Sequence, residues 1–330
     1  MNTTLPCILV AHDPSPEARA AYRQELGSGC ELIFKPDLSP ESWATARARA
    51  RVLIALNPRV EITADDVAAM TALGFVQLLP AGVDHVPLQL FPRDLPIASN
   101  AGAYAGQMAE FVLAITLAAA KRLPVEHQEM REGRFNQFVD NKTLKGAVCA
   151  IVGFGGVGRA AARLFRALGA EIHAINRSGQ TDEEVAFIGT VAALKDVLRR
   201  ADVVVVSMSL TGATAGLIGA RELGWMKDDA ILVNVARGEI VDQDALYRHL
   251  VENERFFACL ESWWIEPVRH GVFRIDHPFL DLPNVIAAPH NSASVPGGQL
   301  QAMRQGARNV RRWLDGEVPR NLLGADERGG

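Results

Sequence analysis

The chain has 330 residues, a formal net charge of −4 and 22% charged side chains. This length favours two domains at roughly 150 residues each, and the interspersed charges exclude a basic face for nucleic acid or anionic lipid. No uncharged apolar run reaches the roughly 18 residues that a membrane-spanning helix needs, so neither nucleic acid nor a membrane is a predicted partner.

The four cysteines are far apart and form no CxxC pair: Cys7, Cys30, Cys149 and Cys259. Three of them lie within or beside apolar runs, which favours small core residues over disulfides or metal ligands. The N-terminus shows no basic stretch followed by a long apolar region, the pattern of a secretory signal. We therefore expect a cytoplasmic protein with free thiols and no metal.

Five short apolar runs come first along the chain, separated by segments with helical spacing. They cover residues 7–10, 32–34, 52–55, 76–79 and 97–99. Continuous apolar runs that alternate with helices are typical of a parallel sheet covered on both faces. The first hundred residues are therefore predicted to form an α/β domain with five strands.

The segment 108–122 is rich in Ala and Leu, with Glu110 near its start and Lys121 and Arg122 at its end. These charges match a helix dipole, so we predict a helix, which we expect to bridge the domains. The segment 125–142 mixes charge with Phe135 and Phe138. It is too irregular for a core helix but apolar enough to contact a subunit partner, and a homodimer is predicted.

A second series of apolar runs covers residues 147–152, 171–175, 203–206, 231–235, 256–260 and 285–287. Six strands alternating with helices are the number expected of a full dinucleotide-binding sheet. Helical spacing then resumes at Leu300, Met303, Val310 and Leu314. This spacing predicts one more helix before a polar tail.

A glycine motif follows the first strand of the second series and opens a helix: Gly153, Phe154, Gly155, Gly156, Val157 and Gly158. Gly153 permits the tight turn, Gly155 lets a pyrophosphate approach the backbone, and Gly158 lets helix and strand pack closely. The helix N-terminus adds free N–H groups for the anion. In this context the motif predicts a dinucleotide site, the alternative being a glycine-rich turn without a ligand.

The end of the next strand usually selects the cofactor, because a carboxylate there binds the ribose 2′-OH of NAD. Here the strand ends in Asn176, Arg177 and Ser178, with no carboxylate. We therefore favour NADPH over NADH, with Arg177 and Ser178 on the 2′-phosphate. In the alternative, Asn176 binds the ribose of NADH and Arg177 lies on the adenine.

Several further motifs resemble those of a known family: Ala81-Gly82-Val83-Asp84, the glycine motif, residues 210–214, residues 233–242, Glu266-Pro267 and Pro289-His290. In this order and spacing, the chain resembles the D-isomer-specific 2-hydroxyacid dehydrogenases over nearly its whole length. The resemblance implies a Rossmann-type domain with a doubly wound parallel sheet over residues 100–292. It also implies a smaller flavodoxin-like α/β substrate domain, residues 1–99 completed by 293–330, with the active site in the cleft.

The resemblance implies three catalytic residues, Arg237, Glu266 and His290. Reduction of a 2-keto acid needs a cation for the substrate carboxylate and a proton donor near neutral pH, which a guanidinium and an imidazolium supply. A carboxylate on the other ring nitrogen keeps the tautomer and raises the pKa of the donor. Taken singly, Arg237 could cap a neighbouring helix and His290 could be a structural histidine.

The resemblance also places other residues at the ligands. The cofactor set includes Ser207, Thr214, Val235, Ala236 and Glu261. The substrate set includes Asn57, Ala81, Gly82, Arg237, His290 and Trp264. Ala81 and Gly82 would act through backbone amides, and Asn57 followed by a proline is also typical of an ordinary turn.

Two positions near the predicted site depart from the family pattern. Glu261 stands where the family usually has the Asp that contacts the nicotinamide amide, so either the ring sits differently or Glu261 turns away. Trp263 and Trp264 follow. Because large indoles are costly on a surface, at least one is predicted to line the substrate pocket, the alternative being a subunit or domain interface.

The resulting hypothesis is an NAD(P)-dependent oxidoreductase that transfers hydride between the cofactor and a D-2-hydroxy or 2-keto acid. A 2-keto acid reductase, such as a glyoxylate or hydroxypyruvate reductase, is favoured. Two alternatives stay open. The family fold also serves corepressors that sense a dinucleotide, and it serves dehydrogenases of other small donors such as phosphite.

Overall fold

A computed structural model describes residues 5–328 of the protein. The chain divides into two compact units. The first unit runs to Tyr104 and resumes at Val295, and the second runs from Ala105 to Ser294. Each unit contains one parallel sheet covered by helices, which confirms the predicted α/β class.

The sheet of the first unit contains five parallel strands in the order β2-β1-β3-β4-β5. The strands are β1 (Cys7–Val10), β2 (Glu31–Phe34), β3 (Ala50–Ala55), β4 (Phe75–Leu78) and β5 (Ile97–Ala98). All five predicted runs form strands, with small shifts at their ends. The order is that of a flavodoxin-like sheet, as predicted.

Alternate residues of these strands enter two separate cores. Leu9 and Leu53 belong to the cluster on one face, while Ile8 and Val52 belong to the cluster on the other. The helices of this unit are α1 (Pro16–Leu26), α2 (Pro40–Ala48), α3 (Pro58–Glu61), α4 (Ala64–Ala69) and the C-terminal helix (Gly298–Leu314). The C-terminal helix packs on α1 and β4, so the last predicted helix completes the first unit.

The sheet of the second unit contains seven parallel strands in the order β12-β11-β10-β9-β6-β7-β8. They are β6 (Val148–Val152), β7 (Glu171–Ile175), β8 (Phe187–Gly189), β9 (Val203–Val206), β10 (Ile231–Asn234), β11 (Phe257–Leu260) and β12 (Val285–Ala287). The order reverses beside β6, as in a doubly wound Rossmann sheet. Six strands were predicted, and the additional strand is β8, a three-residue edge strand.

The second unit contains seven helices within the described residues: α5 (Ala105–Ala120), α6 (Leu123–Arg131), α7 (Gly156–Ala167), α8 (Leu194–Arg200), α9 (Ala220–Leu223), α10 (Gln243–Glu252) and α11 (Pro267–His270). The predicted Ala-rich helix is α5, which packs on α7. The segment after it was predicted not to be a core helix, and it forms α6, a helix without a buried residue. Most of its side chains are exposed and the others are partly buried, so the residue pattern lacks the apolar stripe of a core helix.

All four cysteines are buried and free, which confirms their predicted role as core residues. Within residues 5–328, no helix is long and apolar enough to cross a membrane. The same part of the chain brings together no cluster of three or more His, Cys, Asp or Glu side chains suited to a metal ion.

Candidate active site

Two glycines of the motif between β6 and α7 are required by the protein's own packing. Gly153 has a φ of 105°, and a Cβ on it would lie 2.4 Å from the backbone nitrogen of Met208. A Cβ on Gly158 would lie 2.4 Å from the carbonyl oxygen of Gly153. Any side chain at either position would therefore force the end of β9 or the start of α7 out of place.

Gly155 differs from these two glycines because a Cβ built on it meets no protein atom within 4 Å. It is the N-cap of α7, and no side chain caps the amides of the first turn. The structure therefore has an open space in front of free helix N–H groups, where an anion is stabilised. This cradle fits the pyrophosphate of a dinucleotide, and the residues from Gly153 to Gly158 would hold it.

The loop after β7 is organised by the side chain of Asn176. Its Oδ1 accepts a hydrogen bond from the Gly179 amide at 2.7 Å, and its Nδ2 donates to the Gln180 carbonyl at 2.8 Å. This arrangement closes a tight turn in which Arg177 and Ser178 are exposed. The side-chain amide of Asn176 therefore shapes the loop. The side chains of Arg177 and Ser178, which contain hydrogen-bond donors, lie on its surface.

Four other residues that are predicted to contact the cofactor follow the strands β9 and β10. The Ser207 hydroxyl donates to the Gly153 carbonyl at 2.8 Å, so this residue supports the glycine turn directly. Thr214 Oγ1 accepts from the Thr211 amide at 2.8 Å within its own turn. Val235 and Ala236 are buried immediately after β10. Their contact with a cofactor remains a prediction.

The acid–base pair is formed by two loops that follow β11 and β12. Glu266 is the N-cap of α11, and both of its carboxylate oxygens lie 2.9 Å from Nδ1 of His290. Glu266 Oε1 also accepts from the Trp263 amide at 2.7 Å. The Glu266 side chain is 7% exposed, whereas that of His290 is 36% exposed. The carboxylate is thus fixed inside the protein, and the imidazole it holds stays accessible.

The charges around this pair favour an imidazolium beside a carboxylate. The hydrogen bond to Glu266 raises the pKa of His290, and burial opposes that rise. The charges of Glu261 and Glu266 raise the same pKa further, and Arg237 lowers it. For Glu266, burial favours a higher pKa, but hydrogen bonds from His290 and the Trp263 amide bring the pKa below its ordinary value. His290 therefore keeps its proton to a higher pH than a free histidine does.

Arg237 is placed by a short turn after β10. The buried Asn234 donates to the Arg237 carbonyl at 2.9 Å and accepts from the Ala236 amide at 3.1 Å. Gly238 is necessary beside it, because a Cβ there would lie 2.4 Å from the backbone of both Trp263 and Trp264. The guanidinium contributes its charge to the pKa values of Glu266 and His290, so the structure brings the three predicted catalytic residues together.

Glu261 is fully buried, and its carboxylate points toward the segment that follows His290. Oε1 accepts from the Ser292 amide at 2.9 Å, and Oε2 accepts from the Ser262 hydroxyl at 3.3 Å. A contact with the cofactor amide stays a prediction.

Both tryptophans after Glu261 are buried in the core of the second unit. Trp263 donates to the Ala288 carbonyl at 2.9 Å, and Trp264 donates to the Val241 carbonyl at 2.7 Å. Trp264 also stacks on Phe279 with a centroid separation of 5.3 Å. Both indole N–H groups are thereby satisfied, as buried tryptophans require. The role of Trp264 in substrate binding stays a prediction.

The predicted substrate residues of the first unit follow two adjacent strands. Asn57 follows β3 and is exposed, and its backbone amide donates to Glu61 Oε1 at 2.7 Å. Ala81 and Gly82 follow β4 and are half-buried. Since β3 and β4 are parallel neighbours, these loops leave the same edge of the sheet. Their role toward a substrate also stays a prediction.

Three residues support the site through contacts that were not predicted from the sequence. They are Asn234, which shapes the turn of Arg237, Ser262, whose hydroxyl lies 3.0 Å from the Ala236 carbonyl, and Ser292, which gives its amide to Glu261. The only available signal was that two of them are polar residues inside or beside apolar strands. A hydrogen bond to a backbone group leaves no pattern of side chains in the sequence.

The chain is similar to several known proteins across both units. A family model described as the NAD binding domain of D-isomer specific 2-hydroxyacid dehydrogenases matches residues 113–292. A glyoxylate reductase from Aeropyrum pernix is 29% identical over 329 residues and 96% of each chain. A glyoxylate reductase from Korarchaeum cryptofilum is 30% identical over 268 residues and 79% of each chain.

A solved structure of similar fold contains a bound cofactor. It is a D-isomer specific 2-hydroxyacid dehydrogenase from Xanthobacter autotrophicus Py2 in complex with NADPH and MES. Its TM-score is 0.79 at 25% identity, and the match covers 99% of this chain and 100% of the other. The matched region therefore spans the segments that contain the glycine motif, Arg237, Glu266 and His290.

Proposed function

Since the chain belongs to the D-isomer-specific 2-hydroxyacid dehydrogenase family, whose members are NAD(P)-dependent oxidoreductases acting on CH–OH groups, we propose that it reduces a small 2-keto acid such as glyoxylate or hydroxypyruvate. The observation that carries this proposal is the pair formed by Glu266 and Nδ1 of His290. It occupies one ring nitrogen and leaves Nε2 as the proton donor. Corepressor and phosphite dehydrogenase activities are not favoured by the similarities to glyoxylate and hydroxypyruvate reductases.

The protein's own residues supply binding and proton transfer. Arg237 binds the substrate carboxylate through its guanidinium and draws electron density from the carbonyl. His290 donates the Nε2 proton to the carbonyl oxygen as that oxygen becomes an alkoxide. Glu266 holds the tautomer and stabilises the imidazolium until the proton leaves. A nicotinamide cofactor held at the glycine motif would supply the hydride.

The proposed activity is tested with a panel of 2-keto acids: glyoxylate, hydroxypyruvate, pyruvate and phenylpyruvate. Each is assayed with NADPH and with NADH on the wild-type protein and on His290→Ala. We expect turnover with at least one acid and its loss in the variant, while cofactor binding measured by fluorescence is retained. Absence of turnover with all four acids and both cofactors would refute the proposal.

The preference for NADPH is also part of the proposal. Asn176 closes the turn that exposes Arg177 and Ser178, and neither is a carboxylate that would repel a 2′-phosphate. We expect Arg177→Ala to weaken NADPH binding about tenfold with little effect on NADH. Equal weakening of both cofactors would show that Arg177 does not bind the phosphate.

A cytoplasmic homodimer completes the proposal. Exposed apolar side chains follow α5: Leu123 (56%), Met130 (55%), Phe135 (74%) and Phe138 (86%). Large apolar groups grouped in one segment are typical of a protein interface. We expect the double variant Phe135→Ser, Phe138→Ser to shift the protein toward a monomer in light-scattering chromatography, whereas the single variant Leu168→Ser, which removes an exposed leucine elsewhere, leaves the dimer intact.

A further inference from the structure

Glu261 follows β11 and has no exposed surface, although its side chain is a carboxyl group and it is not one of the three predicted catalytic residues. A buried carboxylate is costly unless hydrogen bonds and positive charges stabilise it. Its neighbours are the Ser292 amide at 2.9 Å, the Ser262 hydroxyl at 3.3 Å and His290, whose Nε2 lies 4.0 Å from Glu261 Oε2. Two of these three neighbours, His290 and Ser292, therefore lie in the segment that contains the proton donor.

This segment has an unusual backbone at His290. The φ of His290 is 51°, in the left-handed region that residues other than glycine rarely adopt. Glu261 holds the segment twice, because its carbonyl accepts from the His290 amide at 3.0 Å and its carboxylate accepts from the Ser292 amide. A single residue thus stabilises the turn on both sides of the left-handed position.

The length of the side chain matters for this second contact. An aspartate at position 261 would end about 1.5 Å short of the glutamate carboxylate. From the same backbone position, it would not reach the Ser292 amide. The contact with the Ser292 amide thus depends on the length of the glutamate side chain.

Each ring nitrogen of His290 faces a carboxylate. Glu266 binds Nδ1, and Glu261 lies near Nε2, while Arg237 is the charged group that opposes them. At 4.0 Å the contact with Glu261 is electrostatic and too long for a hydrogen bond. It leaves Nε2 free to donate to a substrate oxygen, and it favours the charged form of the ring until that donation occurs.

We propose that Glu261 is a positioning residue for the proton donor, which fixes the turn 290–292 through the Ser292 amide and faces Nε2 of His290 with a negative charge. The inference rests on the proposed function, in which the Nε2 proton passes to the carbonyl oxygen and leaves a neutral imidazole. That imidazole then regains a proton from solvent. The carboxylate of Glu261 favours this recharging, because it stabilises the imidazolium.

The test measures the pKa of His290 by NMR titration of the ring protons, which requires no turnover. His290→Asn identifies the resonance, because asparagine tolerates left-handed backbone. Glu261→Gln keeps the side-chain length and an oxygen for the Ser292 amide but removes the charge, and a neutral amide is easier to bury. Glu222→Gln is the matched control, since Glu222 is also buried and accepts the Gly219 amide.

We expect Glu261→Gln to lower the pKa of His290 by about one unit and Glu222→Gln to leave it unchanged. We also expect Glu261→Asp to keep a raised pKa but to reduce kcat about tenfold over the whole pH range, because the turn loses the Ser292 contact. An unchanged pKa in Glu261→Gln would overturn the electrostatic part of the proposal. Wild-type kcat in Glu261→Asp would overturn the positioning part.

Failure of the proposed function is distinguishable from failure of this inference. If the wild-type protein reduces none of the 2-keto acids, the proposed activity fails, but the titration of His290 still reports the effect of Glu261. If the wild-type protein is active and the titration is the same in Glu261→Gln, only the inference fails.

Discussion

The two units each place a histidine shortly after a parallel strand, and the two side chains have opposite electrostatic surroundings. His12 follows β1 in the first unit, and His290 follows β12 in the second. His12 is 6% exposed, and burial lowers its pKa to about 4. The pKa of His290 is raised, because the carboxylate of Glu266 holds Nδ1. Position after a strand is therefore insufficient to make a proton donor.

The contacts of the two rings explain the difference. His12 Nε2 lies 3.3 Å from the hydroxyl of the buried Tyr22, and within residues 5–328 its Nδ1 has no hydrogen-bond partner. The exposed Asp13 raises the pKa of His12 less than burial lowers it. At His290 the carboxylate is itself buried and fixed by the Trp263 amide. A nearby carboxylate raises the pKa of a histidine effectively when the carboxylate is oriented toward the ring and shielded from water.

The contrast between the two histidines predicts that the largest loss of activity follows removal of the His290 imidazole. We expect His290→Asn to reduce kcat/KM for 2-keto acid reduction about a thousandfold, because proton donation is lost while asparagine accepts the left-handed backbone. His12→Gln is the control and should retain the wild-type kcat/KM, since the remaining N–H of a buried neutral imidazole is too weak an acid to donate its proton near pH 7. The measurement is steady-state oxidation of NADPH with the preferred acid. An equal loss of activity in both variants would remove the distinction between the two histidines.

The next effect concerns stability at acid pH. Unfolded His12 takes up a proton near its ordinary pKa of about 6.5, but the folded protein binds it only near about 4. The stability contribution of neutral His12 is therefore complete above about pH 6.5 and is lost as the pH falls, by about 2 to 3 kcal/mol at pH 4.5. We expect the free energy of unfolding in urea to fall by that much more in the wild type than in His12→Gln. Parallel pH curves for the two proteins would contradict the lowered pKa.

Much of the fold was predictable from the sequence because strands buried on both faces are continuous apolar runs. Eleven predicted runs form strands, whereas β8 was missed since Phe187–Gly189 is short and only partly buried. Helix α6 was not predicted because it lacks a buried stripe. Local patterns thus predict the elements that build the two cores and fail at the edges, where burial gives little signal.

The site was predictable to a different extent. Arg237, Glu266 and His290 were predicted from the resemblance to a known family, and the structure brings them together. The direction of the Glu261 carboxylate was not predictable, because it depends on whether one extra methylene reaches the Ser292 amide. The role of Asn234 was hidden for the same reason, since its partners are backbone groups. Catalytic residues can be recognised in a sequence, but the residues that position them through backbone contacts are found only in the structure.

The smallest expected effect tests whether Glu266 alone accounts for the difference in pKa between His12 and His290. In Glu266→Gln the amide still bonds to the ring, but the charge is lost, so the pKa of His290 should fall by about one unit. In the reductive direction activity is present while His290 is protonated, and it disappears as the pH rises through that pKa. The decline of kcat/KM should therefore begin about one pH unit lower than in the wild type, with about tenfold lower activity on the basic side. A pH profile that keeps its midpoint would mean that Glu261 and the ring's own surroundings maintain the raised pKa without Glu266.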